Sequence, residues 1–167
     1  MDIMEAKKIL EQTKKIPYPE VKNVPANFAY AKMLYEDFAG EMGELSAIAQ
    51  YVYEHIGVKE KEIKDIMLQV AMEEMRHLDM VGELIKALGG RPIYVDSSGD
   101  SWESKYLKYR FLSLEDMMKY NISTEEKAIQ GYEKAIKNTN HTSIKAMLDR
   151  IVQDEKAHIK IFEALIK

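Results

Sequence analysis

The sequence repeats one pattern of glutamate and histidine residues in its two halves. Glu125 follows Glu44 by 81 residues (125 − 44), and the same offset relates an E-x-x-H motif at 74–77 to a second one at 155–158. Within each half, 30 residues separate the lone glutamate from the glutamate of the motif (74 − 44 and 155 − 125). Any fold for this chain must therefore accommodate two equivalent sets of acidic and imidazole side chains.

Helical periodicity runs through four long segments, and these segments carry the repeated residues. The chain has only 4 Pro and 8 Gly, which leaves room for long helices. A polar stretch with Asn121, Ser123 and Thr124 could interrupt or restart the third helix. No segment shows a strand pattern strong enough to build a sheet, so the fold class is all-α. The predicted helices cover about 27–55, 59–88, 113–138 and 142–167.

Loop lengths predict how these helices are connected. The turns near Gly57 and Asn140 are short, so each joins two antiparallel helices into a hairpin. The link between residues 88 and 113 is long enough, at about 80 Å when extended, to span a helix of about 45 Å. The sequence predicts a four-helix bundle over 26–167, made of two antiparallel hairpins joined by one long crossover. Residues 1–25 form an N-terminal extension with a short helix and a Pro-rich linker.

The spacing of the repeated residues suits a metal site. Residues three apart share one face of a helix, so the glutamate and histidine of each E-x-x-H motif can bind one ion together. Both lone glutamates and both motifs lie about 14–17 residues from the turn of their hairpin. The glutamate and histidine side chains of all four helices should therefore lie at the same height along the bundle. Buried carboxylates without partners are costly, and two divalent ions would neutralise four of them. Oxygen and nitrogen ligands suit iron or manganese. The alternative is a duplicated bundle whose glutamate and histidine pairs face solvent.

Composition excludes several other kinds of site. The chain has no Cys, which excludes disulfides, thiolate metal sites and iron–sulfur clusters. The net charge of −4 gives no reason to expect nucleic acid binding. No apolar run approaches the roughly 18–20 residues that cross a bilayer, and the N-terminus does not resemble a signal peptide. We therefore expect a cytoplasmic protein without membrane or nucleic acid partners.

Three short segments resemble the ferritin-like di-iron superfamily. The segments G-E-L-S-A-I-A-Q-Y (43–51), E-E-M-R-H (73–77) and D-E-K-A-H (154–158) are similar to motifs of bacterioferritin and rubrerythrin, and the first also resembles manganese catalases. The resemblance covers about residues 27–167 and implies a ferritin-like bundle with two metal ions per chain, iron by expectation and manganese as the alternative. The ligands it implies are two bridging carboxylates (Glu74, Glu155), two terminal carboxylates (Glu44, Glu125) and one histidine for each metal (His77, His158).

The chain also departs from these relatives. Without Cys it has no rubredoxin domain, the built-in electron donor of rubrerythrins. Ala128 occupies the position of an extra glutamate in rubrerythrins, which leaves a more symmetric site. The chain ends nine residues after His158, where bacterioferritins continue with a short fifth helix. We therefore expect a homodimer in place of a storage cage.

Five further residues are candidates for supporting roles. Glu73 and Asp154 each precede a predicted ligand and could orient the histidine of the opposite motif, although either could be an exposed helix charge. Tyr51 and Tyr132 could hydrogen-bond to ligand carboxylates, and as core tyrosines they would also need partners. Met75 matches the haem-ligating methionine of bacterioferritin, but methionine is usually a core or interface residue, and we do not expect haem.

These observations predict an oxidoreductase with a dinuclear iron centre. By resemblance to rubrerythrin it would act as a peroxidase or ferroxidase on peroxide or oxygen, with an external electron donor. One alternative is disproportionation of peroxide, as in manganese catalases, which needs no donor. A non-enzymatic alternative is iron storage or buffering, or a purely structural bundle.

Overall fold

The computed structural model describes residues 1–167 and contains six α-helices. A single turn of 3-10 helix lies at Ser104–Tyr106, and one isolated antiparallel bridge joins Val95 and Ser101. There is no sheet, so the predicted all-α class is confirmed. None of the helices combines the length and apolar character needed to cross a bilayer. The helices are α1 (Ile3–Thr13), α2 (Phe28–Ala39), α3 (Glu44–Gly57), α4 (Lys61–Ala87), α5 (Leu114–Lys137) and α6 (Thr142–Ile166).

The main bundle consists of two helix hairpins, as predicted. α3 packs against α4, and α5 packs against α6, each pair across a short turn. The connection from Leu88 to Ser113 is the predicted crossover. It is fixed to α3 by a pair of hydrogen bonds, because Lys108 N donates to Gln50 Oε1 (2.9 Å) and Gln50 Nε2 donates to Lys108 O (2.9 Å).

The first bundle helix is broken, and the prediction of one helix over 27–55 was wrong. α2 ends at Ala39, and α3 starts at Glu44 after a turn that contains Gly40 and Gly43. A Cβ atom on Gly40 would lie 2.5 Å from the carbonyl oxygen of Glu36, and one on Gly43 would lie 2.8 Å from it. Only glycine permits this close backbone approach. The break makes Glu44, a predicted ligand, the first residue of α3.

α5 is continuous through the polar stretch that could have interrupted it. Ser123 Oγ donates to the carbonyl oxygen of Tyr120 (2.7 Å), and Thr124 Oγ1 donates to that of Asn121 (2.8 Å). Hydroxyl groups in a helix interior can bond to carbonyls of the preceding turn and leave the backbone helical. The helix therefore runs without interruption from Leu114 to Lys137.

The apolar core is divided into two clusters at opposite ends of the bundle. One cluster draws on residues 81–88 of α4 and its C-cap, on residues 144–152 of α6, and on all six buried residues of α2. The other contains residues 63–71 of α4 and 161–165 of α6, together with Ala6 and Leu10 of α1. The predicted ligands of α4 and α6, at 74–77 and 155–158, lie between these ranges. A buried polar layer therefore separates the two halves of the core.

The N-terminal segment packs on the outside of the bundle. α1 lies against α4 and α6, with Ala6 and Leu10 fully buried. The backbone N–H of Asp2 donates to the carbonyl oxygen of Ala164 (2.7 Å), which ties the start of α1 to the end of α6. An extended stretch then leads to α2 at Phe28. The division of the chain near residue 25 stays a prediction.

Candidate metal centre

The structure brings the six predicted ligands together in the polar layer. They form two groups in which one donor atom from each residue lies within 4.8 Å of all the others. Glu74 and Glu155 belong to both groups, and all six residues are at most 3% exposed. The side chains converge from α3, α4, α5 and α6 at one level, as the turn distances predict. The groups are Glu44, Glu74, His77 and Glu155, and Glu74, Glu125, Glu155 and His158.

His77 presents one ring nitrogen to the carboxylates and the other to Asp154. Nδ1 lies 2.9 Å from Glu74 Oε2, 3.2 Å from Glu155 Oε1 and 3.8 Å from Glu44 Oε1. Nε2 lies 3.0 Å from Asp154 Oδ2. An Nε2–H bond to this carboxylate would leave the Nδ1 lone pair directed at the centre of the cluster.

His158 repeats this arrangement in the second half. Nδ1 lies 3.0 Å from Glu155 Oε2, 3.0 Å from Glu74 Oε1 and 3.5 Å from Glu125 Oε1. Nε2 lies 2.8 Å from Glu73 Oε2. Glu73 and Asp154 therefore stand beside the histidine of the opposite motif. Their role in orienting these histidines remains a prediction.

The donor set fits two cations better than it fits protons. Each Nδ1 faces three carboxylates but can direct at most one N–H bond. Glu74 Oε1 accordingly has no hydrogen-bond partner, although it lies 3.0 Å from the Nδ1 of His158. Four buried carboxylates with two imidazoles leave excess negative charge, which two divalent ions would compensate. Carboxylate and imidazole ligands together suit manganese or iron.

The pKa values of the cluster are shifted by burial and by the close approach of several carboxylates. Burial, followed by the nearby carboxylate of Glu74, raises the pKa of Glu44 and of Glu125. Burial alone would raise the pKa of Glu74 as well, but the imidazoles of His158 and His77 outweigh it and lower that pKa. Burial opposes the charged form of both histidines, yet the surrounding carboxylates raise the pKa of each. These opposing shifts arise because one set of oxygens competes for too few positive charges.

The two predicted tyrosines hold the lone glutamates from across the bundle. The Tyr51 hydroxyl donates to Glu125 Oε1 (2.5 Å), and the Tyr132 hydroxyl donates to Glu44 Oε1. Each tyrosine thus bonds to the glutamate of the other half, and both are 1% exposed. Met75 takes no part in the cluster, since its side chain is 45% exposed on α4.

A small cavity adjoins the cluster, and sequence reasoning missed one residue that lines it. The cavity is bounded by the glutamates of the cluster and by Ala47, Ala128, Tyr132 and Asp37. Burial raises the pKa of Asp37 to about 7, with a further contribution from Glu36. A Cβ atom at Gly131 of α5 would collide with Asp37 Oδ1. The signal that could have found this site is Gly131 itself, because an isolated glycine within a helix usually has a packing or functional reason.

Fold and site together define a ferritin-like di-metal carboxylate bundle, in which two helices each supply a glutamate and two supply E-x-x-H motifs. The family model described as manganese containing catalase matches residues 9–91. KatB, a manganese catalase from Anabaena with a known crystal structure, is 32% identical in sequence to this chain. The two structures match with a TM-score of 0.84, over 91% of this chain and 77% of KatB. This chain therefore belongs to the manganese catalase family of the ferritin-like superfamily.

Two further relatives are similar over most of the chain. A probable manganese catalase of Clostridium acetobutylicum is 29% identical over 170 residues, covering 89% of this chain and 75% of that protein. The bacterioferritin of Desulfovibrio desulfuricans is 26% identical over 126 residues, covering 72% of this chain and 66% of that protein. Its crystal structure has a TM-score of 0.63 at 20% identity, a likeness of fold alone.

The predicted superfamily is confirmed, as is the prediction of a di-metal oxidoreductase. These relatives support the manganese catalase alternative better than a rubrerythrin-like enzyme.

Proposed function

We propose that the protein is a dinuclear manganese enzyme that converts two molecules of hydrogen peroxide into two of water and one of oxygen. The observation that carries this proposal is the pair of overlapping donor groups, which share Glu74 and Glu155 and are buried beside a small cavity. Membership of the manganese catalase family supports the choice of metal and substrate. When bound, a pair of manganese ions supplies the two-electron exchange that this reaction needs.

The side chains around the cluster have separate tasks in this proposal. The six ligands are shielded from solvent, since each is at most 3% exposed. Tyr51 and Tyr132 fix the orientation of the carboxylates to which they donate. Small side chains at Ala47 and Ala128 leave room for a small molecule next to the glutamates. Preorganised ligands in a closed site need little rearrangement during a reaction.

Asp37 is placed to handle protons in the same cavity. Peroxide must lose protons when it is oxidised to oxygen and gain them when it is reduced to water. A carboxyl group with a pKa of about 7 can accept and release a proton near neutral pH. Asp37 lies in the cavity lining and belongs to neither donor group. We therefore assign it the role of proton carrier.

The defining test is oxygen release from peroxide without any reductant. The protein is purified without added metal, its metal content is measured by elemental analysis, and oxygen is followed with an electrode after peroxide is added. We expect two manganese ions per chain and one oxygen for every two peroxides consumed. Glu74→Gln should abolish both metal retention and oxygen release. The matched control Glu62→Gln, at an exposed position on the same helix, should change neither.

The second candidate is an iron peroxidase or ferroxidase, which the likeness to bacterioferritin supports. This enzyme would retain iron, consume peroxide only with an electron donor, and release no oxygen from it. Peroxide consumption that depends on a reductant would refute the catalase proposal in favour of this one. A protein that binds neither metal when supplied with both would refute the two together.

A further inference from the structure

The N-terminal segment reaches both carboxylates that stand behind the histidines of the cluster. The Tyr18 hydroxyl donates to Asp154 Oδ2, the same oxygen that lies 3.0 Å from His77 Nε2. The Thr13 hydroxyl lies 3.0 Å from the carbonyl oxygen of Leu10 and 3.3 Å from Glu73 Oε1, and its single proton is shared between these two acceptors. The other oxygen of Glu73 faces the second histidine. Thr13 and Tyr18 lie outside the 81-residue repeat, yet they contact equivalent positions of its two halves.

Several interactions hold Tyr18 in place. Two guanidinium groups lie over its ring, that of Arg76 at 4.8 Å and that of Arg150 at 4.5 Å from the ring centre. Pro17 and Pro19 flank it, which restricts the backbone on both sides. Such cation–π contacts are worth about 0.5–2 kcal/mol each, depending on desolvation. The tyrosine hydroxyl is therefore presented to its acceptor by a restrained segment.

Arg150 connects this segment to the cluster. Its side chain is 5% exposed and forms an ion pair with Asp154 Oδ1. The same guanidinium donates to the carbonyl oxygens of Thr13 (3.1 Å) and Ile16 (3.0 Å). One buried arginine thus fixes both the backbone of the N-terminal segment and the carboxylate beside His77.

We propose that residues 13–18 brace the metal centre, with Tyr18 and Thr13 as positioning residues for the two histidines. Each hydroxyl fixes the carboxylate that orients one imidazole, and so keeps the other nitrogen of that imidazole aimed at the centre. Tyr18 acts on His77 through Asp154 and through its own hydroxyl oxygen, which lies 3.5 Å from His77 Nε2. Thr13 acts on His158 through Glu73. The inference rests on the metal centre of the proposed function and is independent of the reaction carried out there.

The test is whether each hydroxyl affects one ion selectively. Full-length Tyr18→Phe keeps the ring and loses only the hydroxyl. Metal-free protein is titrated with Mn(II), and both binding events are measured by calorimetry. Tyr18→Phe should weaken one event about tenfold, the lower end of the effect of removing an outer partner of a metal-bound histidine. Thr13→Val should weaken the other event. Thr13→Ser, which keeps a hydroxyl, and Tyr94→Phe, on the exposed part of the crossover, should leave both unchanged.

A second readout assigns each effect to a histidine. Protein with labelled histidine is loaded with Zn(II) alone, and the ring N–H signals are followed by NMR. Tyr18→Phe should shift the Nε2–H signal of His77 or speed its exchange, and Thr13→Val should do this for His158. Equal changes at both histidines, or none at either, would overturn the brace while leaving the metal centre intact. A wild-type protein that binds no metal would overturn both proposals.

Discussion

The buried carboxyl group of Glu54 should make stability depend on pH in a measurable way. Glu54 is 2% exposed, and its two oxygens accept hydrogen bonds from Gln50 Nε2 (2.8 Å) and Asn121 Nδ2 (2.6 Å). Burial outweighs these bonds and raises its pKa from 4.5 to about 8. Asn121 Oδ1 has no partner as oriented, and after an amide flip it could accept the proton of a neutral Glu54. A pKa of about 8 predicts that Glu54 is mostly protonated in the native protein at neutral pH.

The coupling between proton binding and folding gives the sign and size of the change in the free energy of unfolding. Above pH 4.5 the unfolded chain releases this proton while the native protein retains it until about pH 8. Stability is then lost as pH rises through this window, by about 1.4 kcal/mol per pH unit and at most about 5 kcal/mol in total. Between pH 6 and pH 8 the loss that this single group causes should be about 2 kcal/mol.

Urea unfolding of Glu54→Gln against wild type isolates this contribution. A glutamine side chain has no proton to lose, so the variant should gain about 2 kcal/mol relative to wild type between pH 6 and pH 8. All proteins are measured with a chelator, so that metal binding does not vary with pH. The control Glu126→Gln, exposed on α5, should run parallel to wild type. If Glu54→Gln also ran parallel to wild type, the protonated, buried state of Glu54 would be refuted.

Four further predictions concern the metal, the helix break, the end of α3 and the cavity. Chelation of Mn(II) should lower the melting temperature and reloading should restore it, since binding at 100 times Kd contributes about 2.7 kcal/mol; calorimetry checks this. Gly43→Ala should cost about 1–3 kcal/mol in urea unfolding because its Cβ would lie 2.8 Å from a backbone carbonyl. Gly57→Ala, with nothing within 4 Å, should gain up to about 1 kcal/mol. Asp37→Asn should slow oxygen release about a hundredfold at unchanged metal content; an unchanged rate would reject its role.

Helix positions and the convergence of the repeated residues could be predicted because both depend on local periodicity. Apolar spacing defines helices, and equal distances from two short turns bring Glu44 and Glu125 to the level of the E-x-x-H motifs. The break at Gly40 could not be predicted, since the periodic pattern continues on both sides of it. It depends on how closely the glycine backbone approaches the carbonyl of Glu36.

The residues that the sequence did not reveal make contacts between distant parts of the chain. Tyr18 meets Asp154 across 136 residues, from a proline-rich linker with no periodicity. Asp37 faces Gly131 from a different helix, and its raised pKa exists only once the chain is folded. Such pairs become visible when tertiary packing is known, because no local preference encodes them.

The division of the apolar core gives the bundle a charged seam across its middle. Each apolar cluster draws on α4 and α6, but from opposite ends of these helices. Between the two clusters lie the glutamate and histidine side chains of the polar layer. We therefore expect the cooperativity of unfolding between the two ends of the bundle to depend on how the charge of this layer is neutralised. The ions of the proposed centre would then link the folding of one end of the bundle to that of the other.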